Sequence, residues 1–353
     1  QTNLKGGTRI VVVNLDGTGL AEITGGRRPP AGAEFVFPFP MVRRSLGAAM
    51  TEAALPAPVT AVAVPGRSRL AAYVALTKPR IIELLLVTTV PAMIVAERGM
   101  PAAWLILATL VGGTLAAGGA NATNMVIDRD IDKLMHRTRK RPLVTGEITP
   151  RNALIFAIGL EVAAAVWLAL IVNPLSAALA VAATLFYVFV YTLWLKRTST
   201  QNIVIGGAAG AVPVLVGWAA VTNELAIAPF VMFAIIFVWT PPHFWALAIR
   251  YKADYAAAEV PMLPVVATFD DTARQIVAYT LVLWATSLAF WWAGSMGWLY
   301  LAAASALGAV YTWKAITLAR SHKPDEAMKL FKYSITYITL LFGAMAADQL
   351  LLH

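Results

Sequence analysis

Nine apolar runs, near residues 81–96, 101–120, 152–172, 174–195, 202–222, 226–249, 275–293, 297–318 and 331–352, are each about long enough to cross a hydrocarbon core as a helix. Backbone polar groups in lipid must pair within the protein, so runs of this length fold as helices and exclude lipid-exposed loops or open sheets. The expected fold is therefore all-α: a polytopic membrane protein of nine transmembrane helices. The first run is the shortest and is interrupted by Pro91. Composition agrees, with 59% of residues hydrophobic and 13% charged, about half the charged share of an ordinary soluble domain. There is no cysteine, which excludes disulfides, thiolate metal sites and cysteine nucleophiles.

The net charge of +9 does not point to nucleic acid, because the basic residues are confined to one set of loops. Alternate connections, counted from the stretch before the first span, hold 22 lysines and arginines between residues 41 and 332, whereas the opposite connections hold Arg98. Lys314 lies near the basic-side end of its span, where it can snorkel. Basic loops stay on the cytoplasmic side of a cell membrane, so the amino terminus is expected in the cytoplasm and the carboxyl terminus outside.

Residues 1–40 fall outside this pattern. RIVVVNLDGTGLAEITGG reads as two short strands around an Asp-Gly turn, and Met41 followed by Arg43 and Arg44 looks like a natural start. This segment is expected to be extraneous or fused. Residues 41–70, rich in Ala, Pro and Val, read as a mobile cytoplasmic tail, which leaves 71–353 as the membrane domain.

Charge gathers in NATNMVIDRDIDKLMHRTRKRPLVTGEIT, residues 121–149. Asn124, Asp128 and Asp132 are spaced i, i+4, i+8, so a helix continuing from the second span puts them on one face, while Asp130 points away. Oxygen ligands of this kind suit Mg²⁺, which takes one or two carboxylates and completes its shell with water and substrate phosphate. Arg137, Arg139, Lys140 and Arg141 follow at once, and arginine forks suit phosphate oxygens. The pattern suits a magnesium-diphosphate site, and equally a solvated loop obeying charge asymmetry. His136 shares the Asn124 face and reads as a bystander.

A second concentration is VWTPPHFWALAIRYKADYAAAEVPMLPVV, residues 238–266. Pro241 and Pro242 are expected to break or kink the sixth span just before His243. Helix resuming there would return His243 and Asp254 to nearly one face, with Lys252 and Asp254 facing the first acidic cluster across the mouth of a central cavity open to the cytoplasm. The alternative for His243 is a buried histidine bonded to a neighbouring helix.

At these residues the chain resembles a known family. NxxxDxxxD followed by RTxxRPL is similar to the first aspartate-rich motif of the intramembrane aromatic prenyltransferases, a nine-helix superfamily with two such motifs on cytoplasmic loops. LTKPRIIELLLVTTVP at 76–91, NMVIDRDIDKLMHRTRKRPL at 124–143, YTLWLKRTSTQNIVIGGAAGAVPVLVGWAA at 191–220 and WTPPHFWALAIRYKADYAAAEVPMLPVV at 239–266 resemble the branch that farnesylates heme. The resemblance covers roughly residues 70–350.

It implies transfer of the farnesyl group of farnesyl diphosphate to a vinyl group of heme b, with water added, giving heme o and diphosphate. It further implies Mg²⁺ on Asn124, Asp128 and Asp132 and a diphosphate on Lys78, Arg137, Arg141 and Lys196, with an oxidase or heme-assembly protein as recipient of the product. Two departures stand out: Met125 replaces the second acid of the commoner Asn-Asp opening, and the second motif offers Asp254 as its metal ligand and catalytic carboxylate, with Lys252 and a later Glu259.

Asn202 lies beside Gly206 and Gly210, a GxxxG pattern that favours close helix packing, and can reach the substrate mouth. Glu161 reads as a buried polar contact, and Trp291, Trp292 and Trp298 as interfacial anchors. His243 is the candidate for heme contact. Two other readings compete: prenylation of another acceptor, such as a quinone precursor or chlorin, and a transporter with a cytoplasmic ion site. The transporter reading lacks an inverted repeat, and both acidic motifs fall on one side.

Overall fold

The computed structural model describes residues 10–13, 20–23 and 67–352. The chain divides into two units, Gln1–Val62 and Ala63–His353. In the first, β1 (Ile10–Val13) pairs antiparallel with β2 (Leu20–Ile23), Ile10 opposite Ile23 and Val13 opposite Leu20, as the strand pattern there leads one to expect. The intervening turn, Met41 and the expected tail through residue 66 lie outside the described residues.

Among the described residues of the second unit every regular element is a helix. Its elements are α1 (Arg69–Thr77), α2 (Pro79–Glu97), α3 (Ala103–Ile127), α4 (Arg129–Leu134), α5 (Pro142–Thr145), α6 (Pro150–Trp167), α7 (Pro174–Leu185), α8 (Lys196–Thr198), α9 (Asn202–Thr222), α10 (Ile227–Arg250), α11 (Lys252–Ala257), α12 (Leu263–Val266), α13 (Phe269–Ala293), α14 (Trp298–Ser321) and α15 (Pro324–Leu352). Wider π-helical turns extend α6 over Leu168–Val172 and join α7 to α8 over Phe186–Leu195. Eight helices among the described residues are long and apolar enough to cross a membrane. The first expected span falls on α2, Pro79–Glu97. The fold is that of a helical integral membrane protein.

Helix α1 is absent from the sequence-based expectation, which placed a tail up to residue 70. Ser68 caps it through a hydrogen bond from the Ala71 amide, and it buries Ala72 and Leu76 against Ala122, Met125, Leu143 and Ile148. It ends at Lys78, whose left-handed φ of 53° turns the chain into α2. Short length and an alanine-rich surrounding hid it.

The anticipated break at Pro241 and Pro242 does not occur, and α10 runs through both from Ile227 to Arg250. Proline's fixed φ is itself helical, and the two missing backbone bonds are outweighed by burial against α9, α13 and α15. The helix breaks instead at Tyr251, so His243 and Asp254 belong to different helices.

The main core lies among α2, α9, α10, α13, α14 and α15, with Trp245, Phe290, Tyr300, Tyr311, Tyr337 and Phe342 fully buried. A smaller cluster of Ile131, Met135, Ile203, Ala248, Tyr255 and Val260 underlies the loops. It fixes α4, α9, the end of α10 and α11 to one another, so both polar loops share one foundation.

Glycine brings α2 and α9 into close approach. A Cβ on Gly217 would stand 2.7 Å from the Thr89 carbonyl oxygen, a backbone atom that cannot swing aside. Gly217→Ala is expected to destabilise the bundle by about 1–3 kcal/mol, read as a lower thermal midpoint in detergent. Gly210→Ala, where nothing lies within 4 Å, is the control and should leave the midpoint near that of the parent.

Candidate functional site

Helix α3 stops at Ile127, and Asp128 (φ −84°, ψ 2°) joins it to α4. The chain nevertheless keeps its four-residue repeat across the joint: the Asp128 amide donates to Asn124 O at 2.9 Å and the Asp132 amide to Asp128 O at 2.9 Å. The three polar side chains therefore stay together as their spacing suggests, with a one-residue interruption in the helix. All three are buried, Asp128 at 0% and Asp132 at 1% exposure.

Such burial of carboxylates demands partners, and basic residues from three other segments supply them. Lys196 forms an ion pair with Asp128 Oδ2, which also accepts from Asn124 Nδ2 at 2.8 Å. Arg141 Nη1 donates to both Asp132 oxygens, at 2.8 and 2.6 Å. Lys78 Nζ donates to Asn124 Oδ1 at 2.8 Å, and Asn124 Nδ2 reaches Thr192 Oγ1 at 3.2 Å. Burial first, then the charges of Arg141 and Lys196, push the Lys78 ammonium down to about 7. Three mutually repelling cations gather around two carboxylates, and an added polyanion would relieve their repulsion.

One oxygen is left over. Asp128 Oδ1 is buried and accepts no hydrogen bond, with Arg197 Nη2 3.8 Å away. Among the described residues no three His, Cys, Asp or Glu side chains gather as a metal cage. Two carboxylates and a carboxamide do fit an ion such as Mg²⁺ that takes few protein carboxylates and fills its shell with water and phosphate oxygens. Asp128 Oδ1 offers a ligand oxygen without the loss of a hydrogen bond.

Asp130 faces the other way, as expected, and is exposed. Arg197 Nη1 and Nη2 grip it at 2.7 and 2.8 Å, while Nη2 also donates to Ile127 O at 3.1 Å. That fork holds the Asp130 carboxyl down to about 2. Because its folded value lies below its ordinary one, the pair is present above the ordinary range and lost as pH falls through about 2. Exposed pairs contribute little, so Asp130→Ala is expected to change kcat/KM by no more than about fivefold, measured in membranes at matched protein abundance.

The second loop meets the first through Arg137. Its amide donates to Asp254 Oδ2 at 3.2 Å, and its guanidinium donates to the Tyr255 hydroxyl at 2.9 Å and lies over the Tyr255 and Tyr251 rings at 5.1 and 5.8 Å. Asp254 thus touches the first motif's backbone. Lys252 is exposed and borders a small cavity with Ile249, Pro264, Phe269 and Thr272, on the side of α13. Another cavity, of about 410 Å³, is lined by Asp270, Ala273, Arg274, Ala319 and His322. His136 is exposed with its Nε2 3.0 Å from Arg139 Nη2.

Asn202 is buried at the start of α9, and neither its Oδ1 nor its Nδ2 has a partner. His243 is buried, its Nδ1 2.6 Å from Ser334 Oγ on α15. Glu161 accepts from Thr184 Oγ1 at 3.3 Å and packs where a Cβ on Gly119 would fall. Thr192, Arg197 and Tyr255 were not singled out by sequence reasoning. Arg197 adjoins Lys196 and Tyr255 adjoins Asp254, and adjacency to a candidate is the signal that could have found them.

With that geometry in hand, comparison with known proteins is decisive. The model of the UbiA prenyltransferase family matches residues 85–341. The chain belongs to the UbiA prenyltransferase family. Relatives named protoheme IX farnesyltransferase are similar to it along most of their length. That of Clavibacter michiganensis is 56% identical over 283 residues, 79% of this chain and 92% of the relative. That of Streptomyces coelicolor is 52% identical over 293 residues, 81% and 93%. That of Gloeobacter violaceus is 55% identical over 281 residues, 79% and 92%. Solved UbiA-type structures share the fold at much lower identity. A UbiA homolog from Archaeoglobus fulgidus bound to DMAPP and Mg²⁺ is 15% identical with a TM-score of 0.58, covering 77% of this chain and 99% of that one. A digeranylgeranylglyceryl phosphate synthase is 16% identical with a TM-score of 0.67, covering 80% and 98%.

Proposed function

We propose that this chain transfers the farnesyl group of farnesyl diphosphate to a vinyl group of heme b, with water added, giving heme o and diphosphate, in a Mg²⁺-dependent reaction. The observation that carries the acceptor is the identity of more than half to relatives named protoheme IX farnesyltransferase over almost their whole length. The buried cluster of Asn124, Asp128 and Asp132 with Lys78, Arg141 and Lys196 supports the donor.

When bound, Mg²⁺ neutralises charge on the leaving diphosphate. Asn124, Asp128 and Asp132 would hold it, with Asp254 as the contribution of the second loop. Lys78, Arg141 and Lys196 exchange their carboxylate and carboxamide partners for phosphate oxygens and stabilise the negative charge as the allylic carbon–oxygen bond lengthens. Arg137 closes the site from the second loop, Lys252 draws the anionic donor toward the mouth, and Asn202 supplies a donor and an acceptor for substrate. A central apolar cavity holds the farnesyl chain and limits water at the allylic cation. The protein resides in the cell membrane with its basic loops and amino terminus in the cytoplasm and its carboxyl terminus outside, and its product passes to oxidase assembly.

Acceptor choice is tested by giving the membrane-embedded protein labelled farnesyl diphosphate with equal amounts of heme b, a chlorin and a quinone precursor. Label is expected in the heme fraction. Label chiefly in either competitor would overturn the acceptor and leave a prenyltransferase of different specificity.

A further inference from the structure

His243 is packed among aromatic rings. Its ring lies between Trp239, stacked at 4.2 Å, and Phe331, stacked at 4.7 Å, with Phe244 edge-on at 5.1 Å. Trp239 is in turn fixed by its Nε1 donating to Ser334 O at 2.8 Å. Both faces of the imidazole are therefore covered, and the ring can meet a further group only along its edge.

Ser334, fully buried on α15, meets one of the two edge nitrogens. Its Oγ is 2.6 Å from His243 Nδ1 and also 2.6 Å from the Phe331 carbonyl oxygen three residues earlier. The single hydroxyl proton of Ser334, when it points to Phe331 O, is used there, because a carbonyl only accepts. Ser334 Oγ then faces Nδ1 with a lone pair, and Nδ1 must carry the ring proton. In a neutral imidazole this leaves the lone pair on Nε2, the form that ligates iron. His243 also sits next to the shared foundation of the two polar loops, because Phe244 packs against the cluster containing Ile131, Met135 and Tyr255.

We propose that Ser334 is a positioning residue: it holds His243 in the Nδ1–H tautomer within an aromatic sandwich, so that the Nε2 lone pair engages the iron of the heme acceptor. The inference rests on the heme reading above and adds a residue on α15, distant in sequence from both polar motifs, that sets how the acceptor is met. Ser334 touches His243, not the reacting atoms. Without it Nδ1–H loses its acceptor and the ring is free to turn or change tautomer. Partners that orient a metal-binding histidine typically carry a ten- to hundredfold share of affinity.

The test uses the full chain in nanodiscs, titrated with ferric heme b and followed by Soret absorption and electron paramagnetic resonance. Binding of a thio-diphosphate analogue of farnesyl diphosphate is measured in parallel. Ser334→Ala is expected to weaken heme binding by roughly 10- to 100-fold and to lose the imidazole-ligated signature, while analogue binding is unchanged. Ser334→Thr, which keeps a hydroxyl able to accept from Nδ1 and donate to Phe331 O, should recover most of both heme readouts. Parent-like heme affinity and spectra in Ser334→Ala would overturn the proposal, as would a Thr variant as impaired as the Ala variant. Parallel loss of analogue binding would overturn it too, by assigning Ser334 to the fold. A parent protein that binds the analogue but gives no imidazole-type heme signature, and transfers label elsewhere, marks failure of the heme reading itself.

Discussion

Asp128→Ala is expected to lower kcat by at least about 10²- to 10³-fold, the scale on which loss of one preorganised electrostatic contact to a leaving group is felt. The substitution removes the carboxylate whose Oδ1 has no hydrogen-bond partner and whose Oδ2 holds Lys196 and Asn124. It thus weakens Mg²⁺ and frees a half-buried ammonium at once. Asp132→Ala belongs to the same class because it releases Arg141. Turnover is measured as labelled diphosphate released at matched protein abundance, with the exposed Asp130→Ala variant as internal reference. Equal, severe losses at all three positions would contradict the division between a buried catalytic face and an exposed surface pair. Chelation of divalent cations should abolish parent activity, and turnover that survived it would remove the metal from the account.

His243→Ala should separate the two substrates. The residue lies on α10 among Trp239, Phe244 and Phe331 and bonds to Ser334, not to the cluster of Lys78, Arg141 and Lys196 around Asp128 and Asp132. Heme affinity is therefore expected to fall at least about tenfold, whereas binding of a non-hydrolysable farnesyl diphosphate analogue should stay within about twofold of the parent. Asp128→Ala should show the reverse, with the analogue weakened and heme titration intact. Unchanged heme spectra, affinity and turnover in the His243 variant would take this residue out of the acceptor site.

The membrane character was legible because it depends on composition over about twenty residues, a signal that tertiary context does not alter. Asn124, Asp128 and Asp132 were legible as a group because backbone hydrogen bonds carry the four-residue repeat across the joint at Asp128. What the sequence could not show depends on distant partners. Arg197 grips Asp130 across 67 positions, and Tyr255 meets Arg137 across 118. Pro241 and Pro242 read locally as a break or kink, and packing on three neighbouring helices carries α10 through them without a break. The actual break, at Tyr251, has no glycine or proline to announce it. The same holds for His243, whose ring is defined by a serine 91 positions away.

The most direct measurement is to incubate the membrane-embedded protein with heme b and labelled farnesyl diphosphate, with and without Mg²⁺, and to separate the hemes by chromatography. Label should appear, only when Mg²⁺ is present, in a heme product more apolar than heme b, with one diphosphate released for each farnesyl group transferred. Consumption of farnesyl diphosphate with no label in any heme, or Mg²⁺-independent labelling, would contradict heme farnesylation at the Asp128–Asp132 site.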